Sequence, residues 1–218
     1  VETPDLRAGT VTAVQTQQRD AERVSVFVDG AFAFGLALEV AVRAGVRKGV
    51  LLSVAEQEAL LAEEEAFRAR RAALDLIAHR AQTEGEIRRK LARKGFSEAA
   101  AEGAVERMRD LGYLDDEAYA RAYVRGKHAG SGHGPQRLRA DLLRRGVKPA
   151  TIDAALAEEV ADDALLETAL EHGRRRWLRL ASEPDPRKRQ KRLSDFLARR
   201  GYGYDVIREV LEAVAREG

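Results

Sequence analysis

The chain has no cysteine, 1 Trp, 1 Met and 5 Pro in 218 residues. Without thiols there is no disulfide framework, no cysteine nucleophile and no zinc site built on thiolates. That fits a reducing cytosol. Long apolar runs are also missing: nowhere do about 18 apolar residues follow one another, so no transmembrane helix is expected. Val1 to Leu6 lack the paired basic and apolar regions of a signal peptide. A cytoplasmic protein that needs no membrane is therefore expected. Its length allows one to three compact units.

Charge is plentiful and unevenly spread. Charged residues make up 34% of the chain, above the roughly 25% of ordinary globular domains. Residues 1–67 hold 6 Lys/Arg against 11 Asp/Glu, a net of −5, so the remaining 151 carry +7 of the total +2. A basic C-terminal two-thirds suits a polyanion or an acidic protein surface. Solvated helix faces would give the same count.

The front end reads as a small β-containing unit. Thr10 to Thr16 and Arg23 to Val28 are β-branched-rich runs. Asp29-Gly30 then sits between Val28 and Ala31, a strong two-residue hairpin signal. That turn would set Phe27 opposite Phe32, with Ser25 and Phe34 next on the same face. Val24, Val26, Ala31 and Ala33 would line the other. Leu38 to Ala44, ended by Gly45, could supply a short covering helix. Ser53-Val54-Ala55-Glu56 has capping-box spacing and opens a helix that nothing breaks before about Arg80. Its middle is charged or Ala, with Glu64 and Arg68 at i,i+4, and reads as a bridge through solvent.

Beyond it the chain repeats. Leu91-Ala-Arg-Lys-Gly-Phe96, Leu142-Leu-Arg-Arg-Gly-Val147 and Leu197-Ala-Arg-Arg-Gly-Tyr202 align without gaps. Ile87, Leu138 and Leu193 lie four residues before each leading Leu; Ala101, Ile152 and Ile207, then Val105, Leu156 and Leu211, follow at matching offsets. This predicts three helices per unit, the middle one burying its i,i+4 pair and closing on a left-handed Gly. The expected fold is mainly α: tandem three-helix repeats in an elongated curved array, behind the small β-hairpin-containing unit. Expected boundaries are 1–53 for that unit, 54–72 for the bridging helix, and 73–116, 117–160 and 161–218 for the repeats.

Two cations precede each repeat Gly: Arg93-Lys94, Arg144-Arg145 and Arg199-Arg200. Cations in a last helical turn complement the macrodipole by about 0.3–1 kcal/mol each. The same residues, with Arg137 and Arg139, could instead form a stripe that tracks phosphates or an acidic groove. The densest basic cluster lies in the third unit, where Arg187, Lys188, Arg189, Lys191 and Arg192 follow Trp177 and its arginines. Trp177 there is either core or a stacking surface.

Catalytic patterns are not found. Gly130 to Pro135 is glycine-rich, but no Gly-Lys-Ser/Thr follows it, so it reads as a turn with Pro135 opening a helix. His128 and His133 lack nearby thiolate or carboxylate partners for a metal. His79 and His172 have no nucleophile beside them. Asp115-Asp116 reads as a helix cap. No enzyme activity, cofactor or metal is expected.

Several of these stretches resemble the RecX family. Gly112-Tyr-Leu-Asp-Asp-Glu-Ala-Tyr-Ala120 is similar to the family's inter-repeat signature. Gly134-Pro-Gln-Arg-Leu138 with Leu142-x-x-Arg145-Gly146-Val147 resembles its second-repeat run, and Thr83-Glu-Gly-Glu-Ile87 the opening of its first. The match covers about residues 70–160, with the third repeat following by internal similarity. The resemblance implies a regulator, mostly an inhibitor, of the RecA recombinase. It would bind the RecA filament on single-stranded DNA along its groove, as a monomer, and suppress ATP hydrolysis, strand exchange and coprotease activity. DNA itself is a possible second contact. A stand-alone basic helical nucleic-acid binder is the rival reading.

Overall fold

A computed structural model describes residues 6–217; the expectation placed on Val1 to Asp5 lies outside them. Four strands and ten helices lie among the described residues. They divide into two compact units: one up to Arg80 with Ile87–Tyr113, the other Ala81–Glu86 with the chain from Leu114 onward.

The first unit holds an antiparallel sheet of β1 (Gly9–Gln17), β2 (Asp20–Val28), β3 (Ala31–Ala37) and β4 (Leu51–Leu52), in the order β3-β2-β1-β4. Asp29 and Gly30 both take positive φ, 49° and 86°, as a type I′ turn requires. Phe27 does face Phe32, edge-on with ring centroids 5.9 Å apart. The expected register then fails one step further on. A bulge leaves Ala33 unpaired, so Phe34 pairs with Val26 rather than Ser25 and turns into the core. Val11, Val24, Val26, Phe34 and Leu36 form that core with Val40 and Ala41 of the covering helix α1 (Leu38–Arg43).

Helix α2 (Val54–His79) opens on the expected box: Ser53 Oγ accepts from Glu56 N at 3.2 Å, and Glu56 accepts from Ser53 N at 2.7 Å. Its charged middle is not a bridge through solvent. Glu64 is buried and accepts from Arg23 Nη1 and Ala37 N, both at 2.6 Å, which ties α2 to the sheet. Arg68, its expected partner, lies over the Phe96 ring instead. Ala69 and Ala73 are buried, and α2 packs along α4 (Glu98–Asp110). With α3 (Glu84–Arg93) these helices form the first repeat.

In the second unit, α5 (Asp116–Ser131), α6 (Pro135–Arg145) and α7 (Pro149–Glu159) form the second repeat. Helices α8 (Asp162–Arg179), α9 (Pro186–Arg200) and α10 (Tyr204–Glu217) form the third. In each, the first helix packs on the last. The middle helices bury Leu138 and Leu142, then Leu193 and Leu197, completely. Each such leucine contributes about 1.5–3 kcal/mol. Gly95, Gly146 and Gly201 take φ of 85°, 89° and 88°, the left-handed closure that the repeat alignment predicts. Asp115 caps α5, accepting from Ala118 N at 2.8 Å. The glycine-rich turn is shorter than expected, because α5 runs through Gly130 and Ser131 and ends on left-handed Gly132.

Candidate functional site

Within the second unit the middle helix α9 ends on the start of the middle helix α6, and α6 ends on residues 83–86, which precede Ile87. Four residues before the first buried apolar residue of a middle helix stands Thr83 in the first repeat and Gly134 in the second. Thr83 Oγ1 accepts from Glu86 N at 3.1 Å and donates to the Arg145 carbonyl at 2.6 Å. One repeat on, Gly134 N donates to the Arg200 carbonyl at 2.7 Å and Gln136 N to that of Gly201 at 3.1 Å. A helix start has spare N–H groups and a helix end has spare carbonyls. Between α9 and α6 each satisfies the other, and those two dipoles run head to tail. The approach demands small residues: a Cβ on Gly85 would lie 2.8 Å from the Arg145 carbonyl oxygen, and one on Gly134 2.6 Å from the Gly201 carbonyl carbon.

This joint separates the members of the second and third basic pairs. Arg145 is half-buried, bonded to Glu86 at 2.7 Å and stacked over the Tyr123 ring at 5.0 Å. Arg200 donates to the carbonyls of Ser131 and Gly132 and covers Phe196 at 4.7 Å. Both act as internal clamps. The leading members remain outside. Arg144 is paired with Asp141 yet 74% exposed, and Arg199 has no side-chain partner among the described residues. In the first repeat Arg93 and Lys94 are both exposed.

The other candidate cations divide in the same way. Arg137 donates to the Arg199 carbonyl at 3.3 Å and faces Asp141 at 4.0 Å; Arg139 pairs with Asp153. On α9, Arg189 lies 3.7 Å above the Trp177 ring and bonds its carbonyl, and Arg192 pairs with Glu183 at 2.9 Å. Trp177 itself packs partly buried against the third-repeat core. Arg187, Lys188 and Lys191 stay exposed, with no side-chain partner among the described residues. The sequence carries no sign of this division, because the members of a pair are chemically alike and differ only in what the preceding repeat places beside them.

A histidine cluster at the same joint was also not legible. Buried His128 has Nδ1 3.0 Å from the His133 carbonyl, and its Nε2 is unpartnered, as is His133 Nδ1. His172 of α8 fits against Gly132 so closely that a Cβ there would lie 2.7 Å from its Cγ. Burial, with Arg137, Arg200 and Lys127 and against Asp141, lowers His133 below its ordinary 6.5. Burial, with Arg200, Arg175 and His128 and against Glu171, does the same to His172. The unfolded chain therefore takes up protons first as pH falls below 6.5. The stability these neutral rings contribute is complete above that value and lost as pH falls toward their folded values. Urea midpoints are expected to drop between pH 7.5 and 5.5, and His172→Gln should flatten that slope; equal slopes would place the pH sensitivity elsewhere.

Among the described residues, no group of three or more His, Asp and Glu is placed to hold a metal ion. No helix there is long and apolar enough to cross a membrane. Four sequence profiles match the chain in order: the regulatory protein RecX N-terminal domain over residues 9–53, then the first, second and third RecX three-helix domains over 69–108, 115–156 and 162–211. A regulatory protein RecX from Trichlorobacter lovleyi is 38% identical over 141 residues, 65% of this chain and 92% of the relative. One from Clostridium perfringens is 29% identical over 204 residues, covering 93% of this chain and 95% of the relative. Two crystal structures share the fold. A regulatory protein RecX superposes with TM-score 0.74 at 24% identity over 94% of this chain and 99% of its own. RecX from Lactobacillus salivarius gives 0.63 at 22% over 70% and 98%. With all four profiles in sequence order and that degree of identity, the chain belongs to the RecX family.

Proposed function

We propose that this chain regulates the RecA recombinase by binding the RecA filament on single-stranded DNA along its groove, suppressing ATP hydrolysis, strand exchange and coprotease activity. The observation that carries this reading is the recurrence of exposed cations on successive repeats: Arg93 and Lys94, then Arg144, then Arg199 with Arg187, Lys188 and Lys191. A helical filament presents the same acidic features at regular intervals, and a repeat protein can meet several of them with equivalent residues. Arg137, Arg139, Arg145, Arg189, Arg192 and Arg200 hold that surface in place through their internal partners. The relatives' shared name, regulatory protein RecX, supports a regulatory role.

The test follows ATP hydrolysis by RecA on single-stranded DNA during titration with the chain. Reversing Arg187, Lys188 and Lys191 to Glu should raise the concentration needed for half-inhibition by about ten-fold or more, since each charge then meets a like-charged surface. These positions are solvated, so the variant should fold normally. Unchanged inhibition by the folded variant removes the third-repeat cluster from the site. DNA binding without RecA, falling steeply with salt, would favour the stand-alone nucleic-acid binder.

A further inference from the structure

We infer that the trough between α6 and the end of α9 is a docking site for an extended acidic segment of a protein partner. The inference rests on the reading that the basic surface contacts a partner. It adds which chemistry the second and third repeats meet there: protein carboxylates rather than DNA phosphates.

The trough is an open cleft of about 410 Å³. Arg137, Ala140, Asp141 and Arg144 line one side of it and Ala198 and Arg199 the other. On α6 these residues fall at i, i+3, i+4 and i+7, a single helix face. The alanines matter. Between three long arginines their short side chains leave space for a chain to lie low. Gly201, which also lines the cleft, is pressed so near to Arg137 that a Cβ would lie 2.6 Å from the arginine's own.

Charge then selects the occupant. Three arginines and one carboxylate, that of Asp141, line the cleft, and the Asp141 side chain is only 12% exposed. Asp141 accepts from Tyr123 Oη at 3.1 Å and faces both Arg137 and Arg144, so it fixes two of the three arginines without neutralising the cleft. Each guanidinium has five donors, more than one shared carboxylate can use. The surplus suits carboxylates, which arginine binds through paired parallel bonds. A phosphodiester strand fits less well, because its unbroken negative charge would have to pass Asp141. An extended peptide carries its carboxylates apart, and the backbone N–H groups between them give Asp141 donors to accept from.

The experiment uses the full chain and a fluorescent, unstructured peptide of alternating Glu and Gly, with oligothymidylate as the second probe, at about 0.1 M salt. Anisotropy should show the peptide bound. Arg144→Ala with Arg199→Ala should weaken it by about ten-fold. Ala140→Glu, on an exposed helical position that tolerates Glu, should do the same by placing a carboxylate in the trough. Arg174→Ala with Arg175→Ala removes the same charge elsewhere on the unit and should leave peptide affinity within about two-fold. The inference is overturned if the peptide does not bind, if the distant pair weakens it equally, or if Ala140→Glu displaces oligothymidylate instead. RecA ATP hydrolysis separates this from the broader reading. If Ala140→Glu abolishes inhibition although no acidic peptide binds, the filament reading stands and this inference falls. If it abolishes peptide binding and leaves inhibition intact, the trough binds acidic segments and the filament is held elsewhere.

Discussion

Replacing Gly134 by alanine is expected to destabilise the chain by about 3 kcal/mol, a fall in melting temperature of about 10 °C for a protein of this size. Gly134 has φ of −79°, so alanine pays nothing for backbone conformation there. The whole effect comes from the joint between repeats. The new Cβ would lie 2.6 Å from the Gly201 carbonyl carbon and 2.8 Å from Tyr202 N, both backbone atoms that no rotamer change can move. Relief requires the two middle helices to part, which also breaks the bond from Gly134 N to the Arg200 carbonyl. Gly95→Ala is the control. There φ is 85° and open space surrounds the position, so only the left-handed penalty of about 1–2 kcal/mol applies. Gly201→Ala combines strain and collision and should be the most damaging of the three. Thermal melts give the order directly. If Gly134→Ala melts with or above Gly95→Ala, the end-to-start contact does not hold the repeats together.

The repeat was legible because its signals are local. A buried i,i+4 pair and a glycine at i+8 dictate a helix and its end without reference to the rest of the chain, and Ile87, Leu138 and Leu193 are all fully buried as that spacing requires. The Asp29-Gly30 turn was readable for the same reason. The features that escaped are those decided by a neighbour distant in sequence. A bulge at Ala33 sends Phe34 to the core side, because an aromatic ring next to Val26 and Leu36 leaves water that Ser25's face would have kept it in. Arg145 and Arg200 look identical to Arg144 and Arg199 until the preceding repeat supplies Glu86 or the Ser131 carbonyl. Of the thirteen candidate cations, the sequence could rank none. Gly134 carried a usable signal, since it aligns with Thr83 at the helix start; a residue without a side chain where a cap is expected implies that something else satisfies the end.

Glu64→Ala is expected to cost about 2–4 kcal/mol, although it removes one charge from a helix stretch that reads as solvent-exposed. The carboxylate is buried and has two duties. It accepts from Ala37 N, at the point where β3 ends and α1 begins, and from Arg23 Nη1 on β2. Alanine leaves the Ala37 N–H buried with no acceptor, which alone accounts for about 1–3 kcal/mol. Arg23 loses less, because its side chain is 29% exposed and water can take over part of the contact. Glu64→Gln keeps an acceptor oxygen for Ala37 while giving up the charge, so it should cost about half as much. Urea unfolding of the two variants measures both losses. Hydrogen exchange at the Ala37 amide locates the first, with protection lost in Glu64→Ala and largely kept in Glu64→Gln. A Glu64→Ala protein within about 0.5 kcal/mol of the parent would mean that the carboxylate does not hold α2 to the sheet.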